Sequence, residues 1–215
     1  MRAIMESLFC VAYLITVLVL GIRLVTAGKD KHAKLYGLMS LVLVGGDAFH
    51  LVPRIIGLNS PAGLEGYTAA LGIGTLVTSI TMTIFYVMLY HFWQRHFQKK
   101  DVPAMSWIVW ALAAIRIALC LFPQNAWTSS DSPVSWGIYR NIPFVILGAL
   151  VVYLFYLVRE ADKCFKWAWL AITLSFLFYI PVVLWADVSP MVGMLMLPKT
   201  CCYVWLVAMG YRRLM

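Results

Sequence analysis

Negative charge is scarce in this chain. Aspartate and glutamate number 9 in 215 residues against 17 lysines and arginines, and charged residues of both signs make up only 12%. An ordinary soluble globular protein is excluded by that balance. The 5 cysteines, Cys10, Cys120, Cys164, Cys201 and Cys202, contain no CxxC and no ligand-like spacing. A disulfide or metal framework is therefore not expected, and they read as small core residues. Of the 4 histidines, His32, His91 and His96 fall at one set of helix ends, leaving His50 without a second histidine at its depth. A catalytic zinc held by three protein ligands is thereby disfavoured. There is no GxSxG elbow, phosphate loop or HExxH helix, and no metal ion or other cofactor is implied. Long linkers, low-complexity tracts and short-period repeats are also missing, so one domain, 1–215, accounts for the chain.

What is present is apolar. Hydrophobic residues make up 63% and the mean hydropathy is +0.85. Runs of roughly 20 such residues span a bilayer core, and seven occur, at about 7–26, 34–57, 66–91, 104–122, 139–158, 166–186 and 190–211. The first run is longer than the about 7–15 residues of a signal-peptide core and has its stronger basic flank after it, so it reads as a span. The predicted fold is all-α, a seven-helix transmembrane bundle, multi-pass in a plasma membrane of bacterial type.

The net charge of +8 points to orientation rather than to nucleic acid. Twelve of the 17 basic residues, from Arg23, Lys29, Lys31 and Lys34 to Arg212 and Arg213, lie at alternate helix ends, and only Arg2, Arg54 and Arg140 lie at the others. By the positive-inside rule the N-terminus is outside and the C-terminus cytoplasmic. Trp93, Trp107, Trp127, Trp136, Trp167 and Trp185 sit near the expected interfaces, as an aromatic belt would place them.

Two basic residues remain, Arg116 and Lys199, both inside apolar spans. The second span carries Asp47, His50 and Arg54 at i, i+3 and i+7, which puts them on one helical face. Ionisable groups at such depth cost about 2.5–3.5 kcal/mol each and so mark a functional site. At 1.5 Å per residue, Asp47 and Lys199 lie roughly 15 and 14 Å below the outer surface and Arg116 roughly 10 Å below it. The predicted cluster is therefore Asp47, His50, Arg116 and Lys199, rimmed by Arg54, Arg140, Tyr139, Asn141, Glu6 and Asp187. Gly45, Gly46, Gly72 and Gly74 would allow close helix approach, and Thr75, Thr78, Ser79 and Thr81 read mainly as helix–helix glue. Pro198 would break helix 7 just before Lys199. One carboxylate against two cations leaves the cluster short of negative charge. Either Lys199 is neutral or an anionic headgroup completes the site, and Arg54 and Arg140 favour the second.

The segment Leu43-Val44-Gly45-Gly46-Asp47-Ala48-Phe49-His50-Leu51-Val52-Pro53-Arg54 resembles the Gly-Asp helix of the YhhN family of lysoplasmalogenase-like membrane proteins. The resemblance implies a hydrolase of lysoplasmalogen vinyl ethers, in a fold of eight helices with this motif on the third, whereas hydropathy gives seven with the motif on the second. Only Asp47 transfers from the family. Vinyl-ether hydrolysis needs proton delivery to the alkene carbon and then water addition. Asp47 would act as acid and base with His50 as second proton carrier, while Lys199, Arg116, Arg54, Arg140 and Tyr139 bind the phosphate. The CREST-type hydrolases are set aside because no histidine follows His96. A non-enzymatic transporter or receptor for an anion is the alternative reading, its partners being membrane lipids and an anionic lipid or small molecule. A third is a retinal protein attached through Lys199, although Leu195 stands where microbial rhodopsins carry an aspartate.

Overall fold

Burial follows helical spacing along every apolar run. The computed structural model describes residues 2–99, 103–130, 132–186, 188–189 and 191–215. Among them α1 spans Arg2–Ala27, α2 Lys31–Asn59, α3 Thr68–His96, α4 Pro103–Leu121, α5 Val134–Leu157, α6 Ala168–Trp185 and α7 Met196–Leu214, and no strand occurs. These seven helices, counting the 3₁₀ turn Val192–Leu195 with α7, are long and apolar enough to cross a membrane. Asp187, expected on the site's rim, and Pro190, expected to open helix 7, lie outside the described residues, as does Lys100.

α1 and α4 each turn one narrow stripe inward, whereas α3 is buried on most sides between Met82 and Trp93. On α1 this is Glu6, Cys10, Tyr13, Val17 and Leu24; on α4 it is Val109, Ala113, Arg116 and Cys120. Steps of three, four and seven keep such residues on one face. The opposite face of α4, with Trp107 and Trp110, is open, so Arg116 is directed inward by its register with Ala113. Successive helices pack side by side, α7 returns to α1 to close the ring, and α3 reaches across to α5. Of the expected belt, Trp107, Trp167 and Trp185 face outward. Trp93 instead is buried, donating to Leu154 O at 3.0 Å.

Close contact between α2 and α3 rests on small residues. A Cβ on Gly46 would stand 2.6 Å from Thr81 Cβ, and one on Gly74 would stand 2.3 Å from Phe49 O. Pro53 has no N–H to close the helical bond onto Phe49 O, so this carbonyl is free to face Gly74. Thr78 Oγ1 donates to Gly46 O at 2.9 Å across the interface, whereas Ser79 and Thr81 bond to their own helix. Gly45 faces open space and takes no part in the close approach.

At the end carrying most basic residues, Asp162 in the α5–α6 connection fastens three segments. Its Oδ2 accepts from His96 Nε2 at 3.0 Å and Arg213 Nε at 2.6 Å, and its Oδ1 accepts from Cys164 N at 2.9 Å. Burial alone would raise this carboxyl, but the donors from His96, Arg213 and the Cys164 amide outweigh it and hold Asp162 below its ordinary range.

Candidate functional site

Asp47 and Tyr13 sit on the facing stripes of α2 and α1. Tyr13 donates its hydroxyl to Asp47 Oδ2 at 2.5 Å, the carboxylate's one hydrogen bond among the described residues. One turn further along α2, His50 Nδ1 lies 3.2 Å from Leu71 O and 3.1 Å from Thr75 Oγ1. Thr75 spends its own proton on Leu71 O at 2.8 Å. A neutral His50 therefore carries its proton on Nδ1 and keeps a lone pair on Nε2.

The two interior cations, Arg116 and Lys199, are both buried. Neither Arg116 nor Lys199 forms an ion pair with a carboxylate of the described residues. Each is held against aromatic rings instead. The Arg116 guanidinium lies 3.3 Å from the centre of the Phe144 ring, and Lys199 Nζ is 4.4 Å from that of Tyr179 and 5.8 Å from that of Tyr203. Arg116 is only 2% exposed, and its Nε and Nη1 are buried with no hydrogen-bond acceptor among the described residues. Since > 90% of buried polar groups in folded proteins are paired, two orphans on one side chain call for an explanation.

The rings form a continuous frame. Phe144 packs edge-on against Tyr86 and Tyr179, with centroids 5.1 and 6.1 Å apart, and Tyr86 and Tyr203 join hydroxyls at 3.2 Å. Tyr179 donates to Asn141 Oδ1 at 2.9 Å. Sequence reasoning missed Tyr13, Tyr86, Phe144, Tyr179 and Tyr203, because an aromatic residue in an apolar helix carries no mark separating a cation's partner from ordinary core.

The expected rim is largely committed elsewhere. Arg54 Nε donates to Glu6 Oε1 at 2.5 Å, which fastens α2 to α1. Arg140 donates to Asn125 Oδ1 at 2.8 Å and stacks 4.4 Å over Trp127. Tyr139 is half exposed on α5 and packs edge-on with Trp136. Pro198 is the third residue of α7 and so lies at the junction with a 3₁₀ turn rather than in the helix interior. The 3₁₀ turn Val192–Leu195 precedes it. At about 2.0 Å per 3₁₀ residue and 1.5 Å per α residue, Lys199 lies roughly 12 Å into that span.

No family model, no curated protein and no solved structure matches this chain. Its class is set by its own geometry, a ring of seven helices each long and apolar enough to cross a membrane. Two aromatic-held cations and one tyrosine-bound carboxylate stand inside that ring.

Proposed function

We propose that the chain is a multi-pass membrane protein, N-terminus outside and C-terminus cytoplasmic, whose interior binds the negatively charged group of a lipid or small molecule. The observation that carries this reading is the Arg116 guanidinium, buried with two nitrogens unpartnered and no ion-paired carboxylate among the described residues. Phosphate or carboxylate oxygens are the natural acceptors for such a fork, and Lys199 would add a second charge. Arg54 and Arg140 already have protein partners, so the ligand's negative charge falls to Arg116 and Lys199. Titrating inorganic phosphate or acetate into the purified protein tests it. Saturable stabilisation lost in Arg116→Met and in Lys199→Met is expected; stabilisation that survives both substitutions overturns the assignment.

Asp47 favours a catalytic reading of the same site. Tyr13 occupies only Oδ2, leaving Oδ1 to deliver or receive a proton, and His50 Nε2 lies one helical turn away on the same face. In the lysoplasmalogenase-like reading, protonation of the vinyl-ether carbon by Asp47 yields an oxocarbenium ion that water then attacks. Aldehyde release from a lysoplasmalogen, abolished in Asp47→Asn with the melting curve intact, is the expected result. Absence of aldehyde from the wild type leaves a transporter or receptor for the same class of anion.

A further inference from the structure

Between α5 and α6 the bundle's outer wall is notched. An apolar groove of about 300 Å³ runs between Ile142, Val145 and Ile146 on one side and Ile180 and Val183 on the other. Its lining is hydrocarbon except at two points, Asn141 and Tyr179, which hydrogen-bond to one another. Tyr179 thus belongs to two places at once. It lines the groove, and its ring is the surface 4.4 Å from which Lys199 Nζ rests. Phe144, packed edge-on to Tyr179, carries Arg116. One aromatic layer separates the groove from both unpaired cations.

We propose that this groove is a lateral port seating the hydrocarbon chain of a single-chain lipid whose anionic headgroup reaches Arg116 and Lys199 past Tyr179. The inference rests on the anion-binding reading above and names the ligand's class. Charge complementarity fixes which end goes where, since the cations lie inward and the groove walls are aliphatic. One groove of this volume takes one chain. Pro143 on α5 and Pro181 on α6 have no N–H for Tyr139 O and Leu177 O, so both helices lack a backbone bond at groove level. Swinging the Tyr179 ring breaks its bond to Asn141, lifts it from the edge of Phe144 and moves it off Lys199.

Lysophosphatidic acid bearing a diazirine near the chain terminus tests the port on the wild-type protein in phosphatidylcholine nanodiscs, with inorganic phosphate as the chainless arm. Crosslinks competed by unlabelled lysophosphatidic acid are expected at 138–146 of α5 and 180–184 of α6. In melting experiments, Val183→Trp and Ile142→Trp fill the groove, and each should weaken lysophosphatidic acid binding at least tenfold while leaving stabilisation by phosphate unchanged. Competed crosslinks on other helices, or equal lipid binding by the filled variants, overturn the port. Phosphate binding without lipid binding overturns the port and leaves the anion site standing, whereas stabilisation by neither ligand removes both.

Discussion

Replacing Arg116 by methionine should make the protein more stable and unable to bind its anion. The side chain is fully buried, so its present energetics are set by what it lacks. Nε and Nη1 have no acceptor among the described residues, and an unpartnered buried donor costs about 1–3 kcal/mol, more when the group is charged. Against this stands the contact with the Phe144 ring at 3.3 Å, worth about 2 kcal/mol for a desolvated pair. Methionine keeps the packing volume and adapts to an irregular site. The balance favours Arg116→Met by about 2 kcal/mol, or about 4–8 °C in Tm for a chain of this length. Cys10, Cys120 and Cys202 are buried free thiols, so a thiol-reactive fluorophore reports unfolding in detergent. The wild type should gain stability with added phosphate, about 2.7 kcal/mol at a hundred times Kd, and the variant none. A loss of 2 kcal/mol or more on Arg116→Met would refute the reasoning, because the arginine would then be a structural tie.

Four other outcomes follow from the geometry. Gly74→Ala puts a Cβ 2.3 Å from Phe49 O, which is backbone and cannot turn away, so α2 and α3 must part at a cost of about 1–3 kcal/mol; an unchanged melting point contradicts that packing. Tyr13→Phe strips Asp47 of its one hydrogen bond among the described residues and should lower stability by about 1–3 kcal/mol, read by the same thiol assay. Asp162 is held below its ordinary range, so the stability it contributes is complete above the unfolded carboxyl value of about 3.9 and is lost as pH falls through the lower folded value. Asp162→Asn should therefore lower Tm at pH 7 and converge with wild type in acid; a constant difference down to pH 2 would refute this. For the orientation, an impermeant maleimide applied to right-side-out membranes should spare Cys164 and label an introduced Ser60→Cys, and the reverse pattern would invert the topology.

The helices were legible because a span leaves a long, redundant signal: seven runs of some twenty apolar residues survive errors of several residues at each end. α3 runs five residues past its expected end, to His96, and α5 starts five before its own, at Val134, since hydropathy marks where lipid ends and not where hydrogen bonding stops. Arg116 and Lys199, both buried, stood out in the sequence as well, because charge in an apolar run is conspicuous. Their partners were not legible. Asp47 chose a tyrosine on α1, and the cations chose Phe144, Tyr179 and Tyr203. Which of 11 tyrosines and 11 phenylalanines meets a given charge depends on helix rotation, which no period in one chain reveals. Arg54 looked free for a ligand because Glu6, its partner, lies 48 positions away.

The choice of aromatic over carboxylate partners bears directly on what the interior can do. A carboxylate set bidentately on Arg116 would neutralise it and fill the donors an incoming anion needs. An aromatic face attracts the cation through its quadrupole but accepts no N–H bond in the guanidinium plane, so charge and donors both remain available at the edge of the fork. Asp47 is bonded instead to Tyr13 across the α1–α2 interface and is ion-paired with neither cation among the described residues. Keeping acid and cations apart costs stability, and a fold retaining such an arrangement is expected to use it. If the tyrosine is what keeps them apart, Tyr13→Phe should weaken phosphate binding although it removes no positive charge, because a released Asp47 can turn toward Lys199. Unaltered phosphate affinity in that variant would show that Asp47 and the cations are independent.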